Sequence, residues 1–148
     1  MEFEDVLDAW RVNNKITLEL LALCPDESLD FKPGKGKTIR SNFVHIAWCR
    51  GEHVKDKVPK AKDQVPKLDW KTATRDEIVQ ALTTTGELME TVLTKRFEKP
   101  DRYTGMRFFA YMIAHEAHHR SQVDLALRLN GAEPDETKLY DLWQWEKK

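Results

Sequence analysis

The chain has 148 residues, 24 lysines and arginines against 25 aspartates and glutamates, and a formal charge of −1. That length suits one domain, residues 1–148, which buries about 68–70% of its unfolded surface without staples, and the balanced charge offers no basic footprint for nucleic acid or an anionic membrane. No apolar run reaches about 18 residues, the acidic start Met1-Glu2-Phe3-Glu4-Asp5 lacks the form of an export signal, and the two cysteines, Cys24 and Cys49, lack redox or zinc-knuckle spacing, so a cytoplasmic protein outside the membrane is expected.

From Phe3 to Leu23, apolar residues (Phe3, Val6, Leu7, Trp10, Ile16, Leu20, Leu21) recur at helical intervals, and Pro25 follows as a stop. Asp30 to Lys37, with Pro33, Gly34 and Gly36, reads as a loop. Thr38 or Ser41 then offers an N-cap for a second helix reaching about Val58, before Pro59. A polar connection leads to Thr74-Arg75-Asp76-Glu77, the form of a capping box, so a third helix begins near Arg75 and continues to about Phe97. Pro100 and Gly105 mark the next turn, and a fourth helix is predicted from about Met106 to Asn130, with Gly131 as its C′ residue and Pro134 blocking extension. No segment alternates as a strand would. The expected fold is therefore all-α: a four-helix bundle with crossover connections and a short C-terminal extension. Tyr140, Leu142, Trp143 and Trp145 make that extension apolar enough to dock on the bundle or on a second subunit, as in a homodimer.

Three of the five histidines lie in the fourth helix, at 115, 118 and 119. Positions four apart on a helix differ by about 40° and about 6 Å, so His115 and His119 can address one ion. They continue the stripe Phe108, Met112, His115, His119, Gln122, Ala126, Leu129, apolar at its ends and polar in the middle. A lone inward histidine is ordinarily a hydrogen-bonded core residue. Two on one interior face instead repel when protonated and need partners when neutral, and one metal ion satisfies both. His118, about 100° round from His119, belongs to the rim. Two histidines make an incomplete site, so a third ligand is expected from another helix. His45 lies among Phe43, Val44, Ile46, Ala47 and Trp48, whereas His53 is flanked by Glu52, Lys55 and Asp56; His45 is the inward candidate. Asn13 and Asn14 interrupt the apolar pattern of the first helix; the ordinary reading is that one faces solvent and the other closes a core hydrogen bond, and Asn14 is also a candidate for lining the pocket. Cys49, one turn beyond His45, reads as a small buried hydrophobe.

His115-Glu116-Ala117-His118-His119 literally satisfies H-E-x-x-H, the zinc-binding motif of metalloproteases, in which the glutamate is the general base. The extended metzincin pattern requires glycine at 122 and histidine at 125, where this chain has Gln122 and Leu125. No edge strand is predicted to hold a peptide substrate, which makes proteolysis a remote alternative.

The arrangement resembles the DinB-like superfamily, helical bundles with a metal on a histidine of the second helix and a His-x-x-x-His pair in the last. His115-Glu116-Ala117-His118-His119-Arg120-Ser121-Gln122 is similar to that family's His-x-x-His-His-Arg-Gly-Gln signature, and His45-Ile46-Ala47-Trp48 supports it about 70 residues earlier. Ser121 stands where the family often has glycine. The resemblance implies ligands at His45, His115 and His119, the three reached from helix geometry and local polarity. It also implies kinship with thiol-dependent enzymes such as the bacillithiol transferase and the mycothiol-dependent maleylpyruvate isomerase, although other members are known only as metal-binding bundles, and substrate does not follow from fold. The leading expectation is a metal-dependent thiol transferase or hydrolase acting on a small molecule. Zinc or nickel would be held by three imidazoles with a position left open to water or a low-molecular-weight thiol, and Glu116, Asn14 or Gln122 would be helpers. The competing expectation is a non-catalytic module whose ion braces two helices.

Overall fold

The computed structural model describes residues 2–98 and 102–148. Among them the long elements are α1 (Phe3–Leu23), α2 (Ile39–Lys57), α3 (Arg75–Phe97) and α4 (Arg102–Leu129), followed by a short α5 (Glu136–Asp141), with no strand. Three-residue-per-turn segments at Asp26–Asp30, Pro59–Gln64 and Trp145–Lys147 stiffen the connections and the tail. None of the described helices is long and apolar enough to cross a membrane.

The helix boundaries follow local chemistry. Thr38 is the N-cap of α2, its hydroxyl accepting from Ser41 N at 3.0 Å. Thr74 opens α3 with a reciprocal pair: Thr74 N donates to Glu77 Oε2 at 2.7 Å and Glu77 N to Thr74 Oγ1 at 3.3 Å. Gly131 ends α4 in the left-handed region, with φ +70°. Ala132 N there bonds Leu127 O at 2.9 Å and Gly131 N bonds Arg128 O at 3.3 Å, which satisfies carbonyls a helix end leaves bare.

The turn expected at Pro100 and Gly105 is corrected in part. Pro100 lies outside the described residues. Gly105 is inside α4, which begins earlier than the expected Met106. An added Cβ there would sit 2.9 Å from Phe97 Cδ2 and 3.2 Å from Arg96 O, so this glycine permits close approach of α4 to the end of α3.

α1 packs against α3 and α4, α2 against the same two, and α3 against α4. Their contacts form two apolar clusters. One joins Leu20, Leu21, Phe43, Ile46, Leu82, Val123 and Leu127; the other joins Leu7, Trp10, Val54, Met89, Leu93 and Met112. Between them, on every long helix, the chain places polar buried groups: Asn13 and Thr17 on α1, Arg50 on α2, Thr85 on α3, Glu116 and His119 on α4. A polar layer thus divides the core at mid-height.

The C-terminal tail docks on its own chain. Lys148 pairs with Glu19, Lys15 Nζ donates to Lys148 O at 3.2 Å, and Leu142 packs against the first cluster. Between the tail, α1 and α4 lies a cavity of about 370 Å³. Tyr140 and Trp143 remain largely exposed.

Candidate metal centre

The first turn of α2 supplies a partner for one of the histidines. Asn42, which is buried, is anchored by Nδ2 donating to Thr38 O at 3.0 Å, and its Oδ1 lies 2.8 Å from His119 Nδ1. An amide oxygen accepts only, so His119 carries its proton on Nδ1 and presents Nε2 as a bare lone pair. This is the outer-shell partner that metal-ligating histidines ordinarily have.

His45 and His115 complete the cluster. Their Nε2 atoms are 3.3 Å apart, and ring centroids are separated by 5.3 Å for His45 and His115, 4.5 Å for His45 and His119, and 4.7 Å for His115 and His119. One nitrogen from each lies within 4.8 Å of the others, an arrangement that could hold a metal ion. With metal–nitrogen bonds of about 2.0–2.1 Å, two ligands of a tetrahedral site stand about 3.3 Å apart. The separation between His45 and His115 has that size, so the donor set fits a divalent ion with affinity for imidazole. No cysteine or carboxylate joins the three among the described residues.

Burial pushes all three imidazole pKa values down, that of His119 to about 3, and the ammonium of Lys37 adds to the effect at each ring. At neutral pH the rings are therefore uncharged, the form that coordinates metal. Asn42 Nδ2 also reaches the Lys37 carbonyl, at 3.5 Å.

The remaining expected residues divide. His118 is exposed on the rim, its ring edge-on to His119 at 5.3 Å. His53 is half-buried against the Phe108 ring, 4.9 Å away, and is not in the cluster. The Cys49 thiol is pushed up by burial and is not in the cluster either. Gln122 is half-buried one turn beyond His119. Leu129, placed at the end of the inward stripe, is 62% exposed. The buried face of α4 runs instead through Met112, Glu116, Val123 and Leu127, which leaves His115 and His119 at its edge rather than its centre.

Glu116 and Asn14, the other expected helpers, are both engaged by Arg50. Glu116 is fully buried, with Oε1 accepting from Arg50 Nε at 2.6 Å and Oε2 from Arg50 Nη2 at 2.8 Å and from Asn13 Nδ2 at 2.7 Å. A carboxylate with both oxygens so engaged is a structural anion, unsuited to the work of a general base. One residue along a helix turns the side chain about 100°, which carries Glu116 from the His115 direction into the core. Asn14 Oδ1 accepts from Arg50 Nη1 at 2.7 Å, so it too serves the interior network. Arg50 also donates to Leu82 O at 3.0 Å and lies 5.0 Å from the centre of the Trp10 ring, while Arg120 Nη1 donates to Asn13 Oδ1 and Thr17 Oγ1, both at 2.9 Å.

Arg50 and Asn42 were missed in the sequence. Arg50 continues the inward series Phe43, Ala47, Arg50, Val54 at steps of four, three and four, so a cation on an otherwise apolar stripe was the available signal. Asn42 carried none, because an asparagine near a helix start reads first as a cap.

Residues 2–148 match the sequence model of the DinB family. No curated protein and no solved structure matches the chain.

Proposed function

The chain belongs to the DinB family, and from that premise we propose that it is a metal-dependent enzyme acting on a small molecule, with zinc or nickel on His45, His115 and His119. The observation that carries this reading is the convergence of three neutral imidazoles with no fourth protein ligand among the described residues. Three protein ligands with a position left open is the pattern of catalytic rather than structural zinc. An ion bound there would supply Lewis acidity, lowering the pKa of a water or a low-molecular-weight thiol. The chain's own part is to hold the donors: Asn42 fixes the tautomer of His119, and burial keeps the rings unprotonated. His45 and His115 are half-buried and so within reach of solvent. We read the four long helices as a bundle with crossover connections, and the whole chain as one domain.

Bracing alone is a weaker account of such an ion, because the bidentate Arg50–Glu116 pair and the Asn42–His119 bond already tie α2 to α4. Proteolysis is weaker still, since the glutamate that H-E-x-x-H chemistry needs is committed to Arg50 and Asn13. A homodimer through the tail is a further proposal, supported by the exposed Tyr140 and Trp143, and sedimentation velocity of Trp143→Ser against the parent tests it.

The deciding experiment is elemental analysis of protein purified without an affinity tag, followed by calorimetric titration of the loaded protein with bacillithiol, mycothiol and glutathione. Near-stoichiometric metal with saturable thiol binding is expected. Metal without thiol binding would redirect the reading to hydrolysis, and absence of metal affinity would overturn it.

A further inference from the structure

Beside the histidine cluster, on the outer side of α2, the connection to α3 folds back to leave a groove of about 280 Å³. Its rim toward the histidines is made of two tryptophans. Trp48 and Trp70 lie 6.1 Å apart, and their rings are 5.7 and 6.1 Å from that of His45. They remain 48% and 39% exposed, respectively. Indole surface left in water beside a polar site is what a ligand-binding wall presents before it is covered.

The wall is held in place. Val65 packs so tightly on Gly51 that an added Cβ there would meet Val65 Cγ1 at 2.6 Å. Asp69 Oδ1 accepts from Lys71 N at 2.8 Å and Thr72 N at 2.9 Å, and Ser41 Oγ reaches Trp70 O at 3.3 Å. The groove therefore does not need to be assembled by its ligand, which limits the ordering entropy that binding must overcome.

Its charge is one-sided. Lys55, Lys62 and Lys67 line it and no carboxylate does. Lys55 is paired with Glu52 at 2.6 Å, but neither Lys62 nor Lys67 forms an ion pair among the described residues. The cation–ring contacts seen among the described residues are Arg50 on Trp10 and Arg96 on Phe108, so the indole faces are not covered by the lysines. Flat exposed rings next to uncompensated ammonium groups select a flat, conjugated body carrying a negative charge; a cation would be repelled, and a neutral ring would leave the lysines unused.

We infer that this groove is the specificity side of the histidine site and takes small aromatic acids, the ring laid against Trp48 and Trp70 and the acid group directed to Lys62 and Lys67. As a statement about substrate class this rests on the metal reading above, but binding in the groove does not require the ion, and the two can fail separately.

The test uses the full chain, in metal-loaded and EDTA-treated forms, titrated with 2-naphthoate, 2-naphthylmethanol and 2-naphthylmethylamine. Calorimetry gives affinities and the indole N–H signals of the five tryptophans give location. The expected result is saturable binding of the acid in both forms, at least tenfold tighter than the alcohol, with movement of the Trp48 and Trp70 signals and little at Trp143 and Trp145. Trp48→Ala should weaken it about tenfold or more, and Lys62→Ala with Lys67→Ala should erase the preference for acid over alcohol. The inference is overturned if the acid binds only when metal is present, if the amine or alcohol binds as well as the acid, or if the signals that move are those of the tail. Intact naphthoate binding in a protein that takes up no metal would instead sink the metal reading and leave the groove standing.

Discussion

Removing the His115 or His119 imidazole takes away one of three nitrogen donors, and no other described side chain stands ready to replace it. His115→Ala and His119→Ala should each lower metal affinity by orders of magnitude, measured as metal content after dialysis against a weak chelator. His53→Ala should leave it unchanged, because His53 packs on Phe108 instead. Asn42→Ala is the subtler case: His119 keeps its place but loses the acceptor that fixes its tautomer, and a loss of about 10–100-fold in affinity is expected. At this scale the sequence was most legible where helical spacing acts directly. The four-residue step between His115 and His119 and the apolar surroundings of His45 picked out the residues that the fold brings together. The burial of Glu116 was not legible, because the motif H-E-x-x-H says nothing about which way the residue between the histidines turns, and that direction depends on where the core lies relative to α4.

Among the elements, α2 and α4 are joined by a pair with no solvent access on either side. Glu116→Ala would leave the Arg50 guanidinium buried and unpaired, and should cost about 3–5 kcal/mol in urea denaturation. Adding Arg50→Met to that variant should recover part of the loss, since replacing both charges removes the uncompensated one; further loss in the double variant would contradict this account. α3 contributes through an absence of side chain. A Cβ at Gly86 would sit 2.4 Å from Asn14 Nδ2 and 2.7 Å from Asn14 Cγ, while Gly86 O accepts the Trp10 indole N–H at 2.8 Å. Gly86→Ala should push Asn14 off Arg50 and destabilise by about 1–3 kcal/mol in the same assay. Element ends were readable because caps are local: Thr74 with Glu77, Gly131 before Pro134, and Pro25 each act within a few residues. The start of α4 was not, since Gly105 carries the same letter whether it breaks a helix or lets two approach, and only the position of Phe97 decides between them.

For the whole molecule, the depressed imidazoles couple stability to pH. In the unfolded chain a histidine takes up its proton near pH 6.5, whereas the folded protein resists until lower values, about 3 for His119. As pH falls below about 6.5 the unfolded state binds more protons, so stability is full above that pH and is lost progressively toward the folded-state values. Metal-free protein should lose stability between about pH 7 and 5, above the range where carboxylates titrate, and His119→Gln should flatten the slope. An equal slope in the variant would remove His119 from this coupling. At this scale the sequence disclosed four long helices and the polar interruption in the first and last of them. It did not disclose that the interruptions of all four meet in one plane, because that requires the relative heights of helices distant in sequence.

Those heights have a consequence of their own. Two apolar helix faces can slide along each other with little to tell one alignment from the next, since grease packs on grease at many offsets. A slip of α2 against α4 by one turn, about 5.4 Å, would bury Arg50 opposite hydrocarbon and strand Glu116 as well. The pair therefore works as a vernier, admitting a single alignment of the two rods. His45 is cut into one rod five positions from its mark and His115 into the other one position from its own, so whatever fixes the alignment of the marks also fixes how the imidazoles stand to one another, before any ion arrives.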